Sequence, residues 1–133
     1  MPQQISADAD GAAGRVLSSA AMHAFSIAEI KDRLIAGSGG YEIVHESPGL
    51  ELGVYVLVAP EPDRQQPHED DEVYVVLEGS GVLQIEGDSV PVAEGSAVFV
   101  AAGAEHRFTA YERLSVLVIF ERRAAGKPVT RSA

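Results

Sequence analysis

Apolar and polar residues alternate with a period of two from residue 41 onward, and this alternation constrains the fold more than any other feature of the chain. β-branched residues recur in short runs, and Gly, Pro and Asp separate the runs every few positions. No long helical segment lies between the runs, so parallel strands, which need long crossover connections, are not expected. The pattern predicts an all-β antiparallel sandwich or barrel. The predicted strands cover residues 41–46, 50–58, 73–77, 82–86, 90–92, 97–100, 106–109 and 114–120.

Two short-range signals add a helix and a hairpin to this pattern. A helix is predicted over residues 27–36, where apolar residues fall on one face. Before it, Ser26 and Glu29 have the spacing of a capping box, in which Ser26 accepts a hydrogen bond from the Glu29 N–H and Glu29 bonds back. Gly37 is placed to end the helix. Later in the chain, Gly87-Asp88 predicts a two-residue hairpin with positive φ at its first position.

The predicted strand 73–77 is apolar on both faces. Tyr74 and Val76 share one face, and the opposite face carries Val73, Val75 and Leu77. Such a strand needs cover on both sides, and in a small two-layer domain the second cover is often another subunit. The sequence therefore predicts a homodimer.

The length of 133 residues corresponds to one domain with one core. Residues 1–22 carry acids where a secretory signal needs bases, so we expect a flexible N-terminal extension, with Met22 as an alternative start. Residues 124–133 are small, polar and mildly basic, and we expect a flexible tail there. The single domain then covers residues 23–123.

Composition excludes several classes of function. Twenty acids against ten bases give a net charge of −10, which would repel a nucleic-acid backbone. No apolar run reaches the length of a membrane-spanning helix. The absence of cysteine excludes disulfides, zinc ribbons and thiol nucleophiles. We therefore expect a cytoplasmic protein without nucleic-acid or membrane partners, in which any metal must be held by His, Asp, Glu or amide oxygen.

A polar segment lies directly before the apolar strand 73–77. Gln66, His68 and Glu72 have the same parity, so in an extended chain an amide, an imidazole and a carboxylate point the same way. Tyr74 continues that face into the strand. The spacing resembles the first motif of the cupin superfamily, which is H-x-H, three or four residues, E, six residues and G. This chain has Gln66-Pro67-His68, Glu72 and Gly79, so only the first histidine of the motif differs.

A second segment resembles the other cupin motif, which is G, five residues, P-x-G, two residues, H, three residues and N. The chain matches it at Gly95, Gly103 and His106, with Ala101 at the Pro position and Ala110 at the Asn position. Fifteen residues separate the two motifs, the short spacing of small bacterial cupins. The resemblance covers residues 50–120 and implies a double-stranded β-helix, or jelly-roll barrel, with one short N-terminal helix.

The resemblance also implies a site inside the barrel that binds one divalent metal. The corresponding residues are Gln66, His68, Glu72 and His106. Imidazole and carboxylate ligands suit Fe, Mn, Ni, Zn or Cu, and two histidines with one carboxylate form the facial triad of non-haem iron oxygenases. Gln66 is expected either as a weak fourth ligand or as a donor that orients a bound water.

Other chemistry-bearing residues are assigned by the same parity. Tyr74 and Phe108, each two residues after a predicted ligand, are expected to form the pocket walls. Tyr55, Phe99 and Phe120 are expected in the core. Asp70 and Asp71 are interpreted as solvated turn residues, and His23 and His45 as surface or hydrogen-bonded histidines.

Three functions remain open from the sequence. The first is a dioxygenase-like oxidoreductase that acts on a small organic molecule through the metal. The second is an isomerase or lyase that uses the metal as a Lewis acid. The third is a metal-free module that binds or senses a small molecule. The fold alone cannot decide among them, because it supports many activities.

Overall fold

The computed structural model describes residues 17–18, of which only the backbone is considered, and residues 21–122. The predicted tail 124–133 and most of the predicted extension 1–22 lie outside the described residues. The elements are β1 (Leu17–Ser18), β2 (His23–Ala24), α1 (Ile27–Ala36), β3 (Gly40–Ser47), β4 (Leu50–Val58), β5 (Glu72–Ile85), β6 (Asp88–Ala93), β7 (Ala97–Val100), β8 (His106–Thr109) and β9 (Arg113–Glu121).

All strand pairs are antiparallel, as the sequence predicts. The order is β3-β4-β9-β5-β6, and β7 and β8 both pair with β5. The first half of β5 pairs with β7 and β9, and its second half pairs with β6 and β8. The strand β5 therefore passes from one sheet to the other and joins them into a jelly-roll barrel, which confirms the predicted fold class.

Strand β5 is one continuous strand of 14 residues, where the sequence predicts two strands, 73–77 and 82–86. The chain bends at Gly79, which has φ +91° and follows a register shift between Val76 and Glu78. A Cβ atom at Gly79 would overlap the carbonyl oxygen of Arg113. A glycine at positive φ usually marks a turn, but here it bends a strand without ending it.

Two smaller predictions are refined by the structure. The helix covers the predicted residues, with Ser26 Oγ accepting from the Glu29 N–H at 3.2 Å and with Gly37 as the C-cap. Glu29 Oε1 is buried without a hydrogen-bond partner, so it does not return the second bond of a capping box. The hairpin lies one residue earlier than predicted, because Ile85 pairs with Asp88 and the turn consists of Glu86 and Gly87. Both turn residues have positive φ, as the twist of a tight hairpin requires.

The main core lies inside the barrel. Its buried residues are Leu57, Tyr74, Val76, Leu83, Val92, Val100, Phe108, Leu114, Val116 and Val118. A smaller cluster lies on the outer face of the sheet, where Ile30 of α1 packs on Val54 and Val56, with Leu77 beside them. The helix thus supplies part of the outer cover that the sequence assigned to a second subunit, and the homodimer stays a prediction. Among the described residues, no helix is both long and apolar enough to span a membrane.

Candidate metal centre

Asp63 anchors the loop that leads from β4 to β5. Its side chain is buried, and its Oδ1 accepts the hydroxyl of Tyr55 at 2.6 Å. Its Oδ2 accepts the backbone N–H of Phe108 at 2.8 Å and the side-chain amide of Gln65 at 2.6 Å. A buried carboxylate requires such donors, because each lost hydrogen bond leaves a charged oxygen unsatisfied. Asp63 therefore fixes the loop against both sheets of the barrel.

The hydrogen bond to Asp63 also decides how the Gln65 amide is oriented. Because Gln65 Nε2 donates to Asp63, Gln65 Oε1 faces the opposite way, into the barrel. This oxygen accepts the Tyr74 hydroxyl at 2.8 Å. It lies 3.1 Å from His106 Nε2 and 3.4 Å from His68 Nε2. The loop thus presents an amide oxygen to both imidazoles.

Three further side chains that can act as metal ligands converge at the same point. Glu72 is the first residue of β5, His106 is the first residue of β8, and His68 lies in the loop. Glu72 Oε1 lies 3.1 Å from His106 Nε2 and 3.9 Å from His68 Nε2. Within the described residues, one atom from each of the three side chains lies within 4.8 Å of the others. The side chains of Glu72 and His106 are each 1% exposed, whereas that of His68 is 35% exposed, so the site is buried on one side and open at His68.

Hydrogen bonding sets the protonation of His106. Its Nδ1 lies 2.8 Å from the Ala104 carbonyl oxygen, which can only accept, so Nδ1 carries a proton. Its Nε2 faces Glu72, Gln65 and the Tyr74 hydroxyl, all acceptors or hydroxyl groups. Burial lowers the pKa of His106, but the hydrogen bond to Glu72 and the one to Ala104 outweigh it and raise the pKa above its usual value.

These residues fit a divalent metal ion. Glu72 Oε2 is buried and has no hydrogen-bond partner in the protein, so this carboxylate oxygen still has lone pairs with which it can bind a metal ion. Metal–ligand bonds of about 2.1 Å place neighbouring ligand atoms roughly 3.0 to 3.5 Å apart. Most of the separations among the converging atoms, from 3.1 to 3.9 Å, lie in or near this range. The bond from His106 Nδ1 to a backbone carbonyl is the support that ligating histidines usually have.

The family of the chain follows from its similarity to known proteins. The family profile described as "Cupin domain" matches residues 54–120, half of the chain. An uncharacterized protein of Streptomyces coelicolor is 37% identical over 100 residues, which are 74% of this chain and 95% of that protein. The chain belongs to the cupin family.

Solved structures agree with this cupin's fold. The EutQ protein of Clostridium difficile superposes with a TM-score of 0.67 at 15% identity, over 85% of this chain and 98% of that one. The DMSP lyase DddQ of Ruegeria pomeroyi superposes with a TM-score of 0.60 at 22% identity, over 69% of this chain and 51% of that one. At such identities the similarity concerns the fold alone.

The structure places Gln66 differently from the cupin motif alignment. Gln66 is exposed and lines a polar groove that Gln65 and His106 also line, and it is Gln65 that brings its amide oxygen to the histidines. The parity argument fails here because residues 61–71 are not a strand, so alternate side chains need not share a face. No periodic signal in the sequence identifies Gln65 or Asp63, since both are positioned by a loop.

Of the two residues predicted to form the pocket walls, only one lines the cavity. Tyr74 lines the cavity next to His68 and Glu72. Its pKa is raised, mainly by burial and also by the charge of Glu72, so the phenol stays protonated at neutral pH. Phe108 does not line this cavity. It is buried behind Tyr74, with ring centroids 4.8 Å apart.

The remaining polar residues lie at the edge of the cupin site or away from it. The sequence predicts Asp71 as a solvated turn residue, but its Oδ1 accepts the backbone N–H of Ala102 at 2.9 Å, which braces the turn before β8. Asp70 lines the same cavity as His68 and Glu72. His23 and His45 contact each other, with their Nδ1 atoms 3.3 Å apart, on an exposed part of the surface.

An open cavity of about 550 Å³ gives access to the site of this cupin. Gln65, His68, Glu72 and Tyr74 lie at its inner end. We call the rest of the lining the outer part of the cavity; it consists of Tyr41, Glu51, Tyr55, Pro67, Glu69, Asp70, Val118 and Phe120. A cavity of this size suits a small organic molecule.

Proposed function

We propose that this cupin is a metal-dependent enzyme that acts on a small organic molecule, with His68, Glu72 and His106 as the metal ligands. The observation that carries the proposal is the convergence of both Nε2 atoms on a buried carboxylate that has an unpartnered oxygen. Such a buried acceptor is costly unless a cation or a donor satisfies it. Gln65 Oε1, held in place through Asp63, is proposed as the fourth donor.

The reaction proposed first is that of a dioxygenase-like oxidoreductase. Two histidines and one carboxylate suit iron, and a bound iron would supply open positions for a substrate and dioxygen. The chain contributes binding and orientation. The cavity would admit the substrate beside His68 and Glu72, and His106 lies buried behind them.

The second reaction proposed is Lewis-acid chemistry by a lyase or isomerase. It is favoured by the Tyr74 hydroxyl, which lies 2.8 Å from Gln65 Oε1 and 3.1 Å from His106 Nε2. The raised pKa keeps this phenol protonated, so it can donate a hydrogen bond to a substrate oxygen that a bound metal would polarise. A DMSP lyase of Ruegeria pomeroyi has the same fold, so the fold is compatible with lyase chemistry.

Metal content tests the proposal directly. Untagged protein purified without added metal is expected to contain a divalent transition metal near one per chain by elemental analysis. Apo-protein is expected to gain thermal stability on addition of Fe²⁺, Mn²⁺, Ni²⁺ or Zn²⁺, because an ion that binds the folded state shifts the equilibrium toward it. Absence of metal together with no thermal shift would leave a metal-free binding module as the function.

Three variants identify the ligands. His106→Ala is expected to abolish metal retention, and in the apo-protein it leaves Glu72 buried without its partner, at a cost of about 3 to 5 kcal/mol in unfolding free energy. Gln65→Ala is expected to weaken metal binding in calorimetric titration, and the neighbouring Gln66→Ala is its matched control, expected to bind as the wild type does. If Gln66→Ala weakens metal binding and Gln65→Ala does not, then Gln66 is the fourth ligand, as the motif alignment predicts, and the inference from the loop geometry is wrong.

The two reaction classes differ in what they require. Iron-loaded protein in air, with a panel of small organic molecules, is expected to consume dioxygen in an oxygen electrode if the first reaction is right. Turnover by zinc-loaded protein without dioxygen consumption would establish the Lewis-acid reaction instead. Tyr74→Phe tests the role of the Tyr74 hydroxyl in the Lewis-acid reaction, because it removes the hydroxyl and keeps the buried ring.

A further inference from the structure

The outer part of the cavity combines aromatic rings with carboxylates. Its lining includes the rings of Tyr41, Tyr55 and Phe120 and the carboxylates of Glu51, Glu69 and Asp70. Glu72 adds a fourth carboxylate at the inner end, and no lysine or arginine lines the cavity. Acidic groups attract cations, and the faces of aromatic rings attract them as well.

The net charge of the cavity lining stays negative when the positive groups next to its carboxylates are counted. Arg122 lies outside the lining, and its Nη1 is 3.3 Å from Glu51 Oε1, which offsets one carboxylate. A divalent metal at the inner end would offset two more. The four carboxylates therefore still exceed the positive charge around them, and an anionic molecule would meet net repulsion in the outer part.

The chain holds Tyr41 in the cavity wall by a specific arrangement of two strands. The Tyr41 hydroxyl donates to Glu51 Oε2 at 2.8 Å, and its ring meets the Tyr55 ring edge to face at 6.0 Å. The ring lies over Gly53 on β4, where an added Cβ would overlap the ring and the hydroxyl. Gly53 thus leaves the space that lets Tyr41 reach across β4 to Glu51.

We propose that the outer part of the cavity binds the cationic group of the substrate, a protonated or quaternary amine, while an oxygen of the same molecule faces the metal-binding residues. The Tyr41 and Tyr55 rings and Glu51 receive the cation. This inference rests on the proposed function for the inner end of the cavity, where Glu72, whose Oε2 is buried and unpartnered, is one of the lining residues. The substrate class is thus a small organic cation that also carries an oxygen function.

Choline and its neutral isostere 3,3-dimethylbutan-1-ol are suitable probes, since they share shape and hydroxyl group and differ in charge. Their affinities for metal-loaded and apo-protein can be measured by calorimetry or by saturation-transfer NMR. Choline is expected to bind at least tenfold more tightly than the isostere. Its affinity is expected to fall with added NaCl, and that of the isostere is not, because salt screens the charge interaction.

Variants locate the binding. Glu51→Gln keeps the shape of the side chain and is expected to weaken choline binding at least fivefold, with metal content unchanged. Tyr41→Leu is expected to weaken it as well, and it provides a second route if Glu51→Gln perturbs folding through Arg122. Glu94→Gln removes the same charge from an exposed turn outside the cavity and is the matched control.

The outcomes separate this inference from the metal proposal. Metal binding with equal affinities for choline and the isostere overturns the inference and leaves the metal proposal intact. A choline preference that depends on Glu51 in protein that takes up no metal supports the cation site and overturns the metal proposal. If Glu94→Gln reduces the preference for choline as much as Glu51→Gln does, the preference reflects only the overall charge of the protein. That result would also overturn the inference.

Discussion

Asp63 is the residue on which the geometry of the metal-binding loop depends most. Besides the bonds from the Tyr55 hydroxyl, the Phe108 backbone N–H and the Gln65 side-chain amide, its Oδ1 accepts the backbone N–H of Gln65 at 3.2 Å. All four partners donate, so the site requires a carboxylate with both oxygens available. An amide of the same shape would present N–H groups to donors.

Asp63→Asn is therefore expected to lower the unfolding free energy by about 3 kcal/mol, measured by urea denaturation. It is also expected to weaken metal binding by roughly tenfold to a hundredfold, because Gln65 loses the bond that orients it. Asp88→Asn, at the exposed start of β6, is the control and is expected to change neither quantity. An Asp63→Asn protein of wild-type stability would contradict the anchoring role.

Ala110 occupies a backbone conformation that suits another residue. Its φ is +58°, in the left-handed region, and the second cupin motif has Asn at this position. Asn tolerates this region better than other non-glycine residues, so Ala110→Asn is expected to raise the unfolding free energy by about 0.5 to 1 kcal/mol. Ala28→Asn, on the exposed face of α1, is expected to lower it. A loss of stability in Ala110→Asn would mean that the asparagine side chain clashes there.

At the level of elements, the bend of β5 can be tested with two glycines that have the same backbone angle. Gly79 and Gly87 have φ +91° and +90°. An added Cβ overlaps the Arg113 carbonyl at Gly79 but meets nothing within 4 Å at Gly87. Gly87→Ala is therefore expected to cost about 1 to 2 kcal/mol for the backbone strain alone. Gly79→Ala is expected to cost at least twice as much in urea denaturation, and equal costs would argue against the close approach of β9.

How well the sequence predicts these elements depends on whether local signals define them. The helix begins and ends where Ser26 and Gly37 predict, and six of the predicted strands correspond to single strands of the structure. The division of β5 is wrong because a glycine with positive φ gives the same local signal in a bend as in a turn. The loop 61–71 was beyond prediction, since the side-chain bonds of Asp63, not periodicity, determine its path.

The site, too, is predicted well only where local signals in the sequence define the positions of its residues. Motif spacing correctly brings His68, Glu72 and His106 together, because two of them begin strands whose pairing fixes their positions. The fourth donor was assigned to Gln66, and the structure presents Gln65 instead. A one-residue difference in a loop reverses which side chain faces inward, and only the tertiary contacts of Asp63 determine it.

For the whole molecule, the homodimer remains a prediction. Among the described strands, β3 pairs only with β4, and it exposes Tyr41 and Ile43 at 40% and 45%. An edge strand with exposed apolar side chains is suited to pairing with a second copy. Light scattering after size exclusion is expected to give twice the chain mass of 14.0 kDa, and Ile43→Lys is expected to shift it toward the monomer. A monomer at micromolar concentration for the wild type would contradict the prediction.

The proposed metal ligands come from parts of the chain that are far apart, and Gln65 and His106 are separated by 41 residues. A metal held between them would act as a cross-link in a chain that has no cysteine to form one. Opening of the loop 61–71 would then require release of the ion. Hydrogen exchange and proteolysis in this loop would therefore rise when metal is withdrawn, and the lifetime of the protein in the cell would follow the supply of the metal.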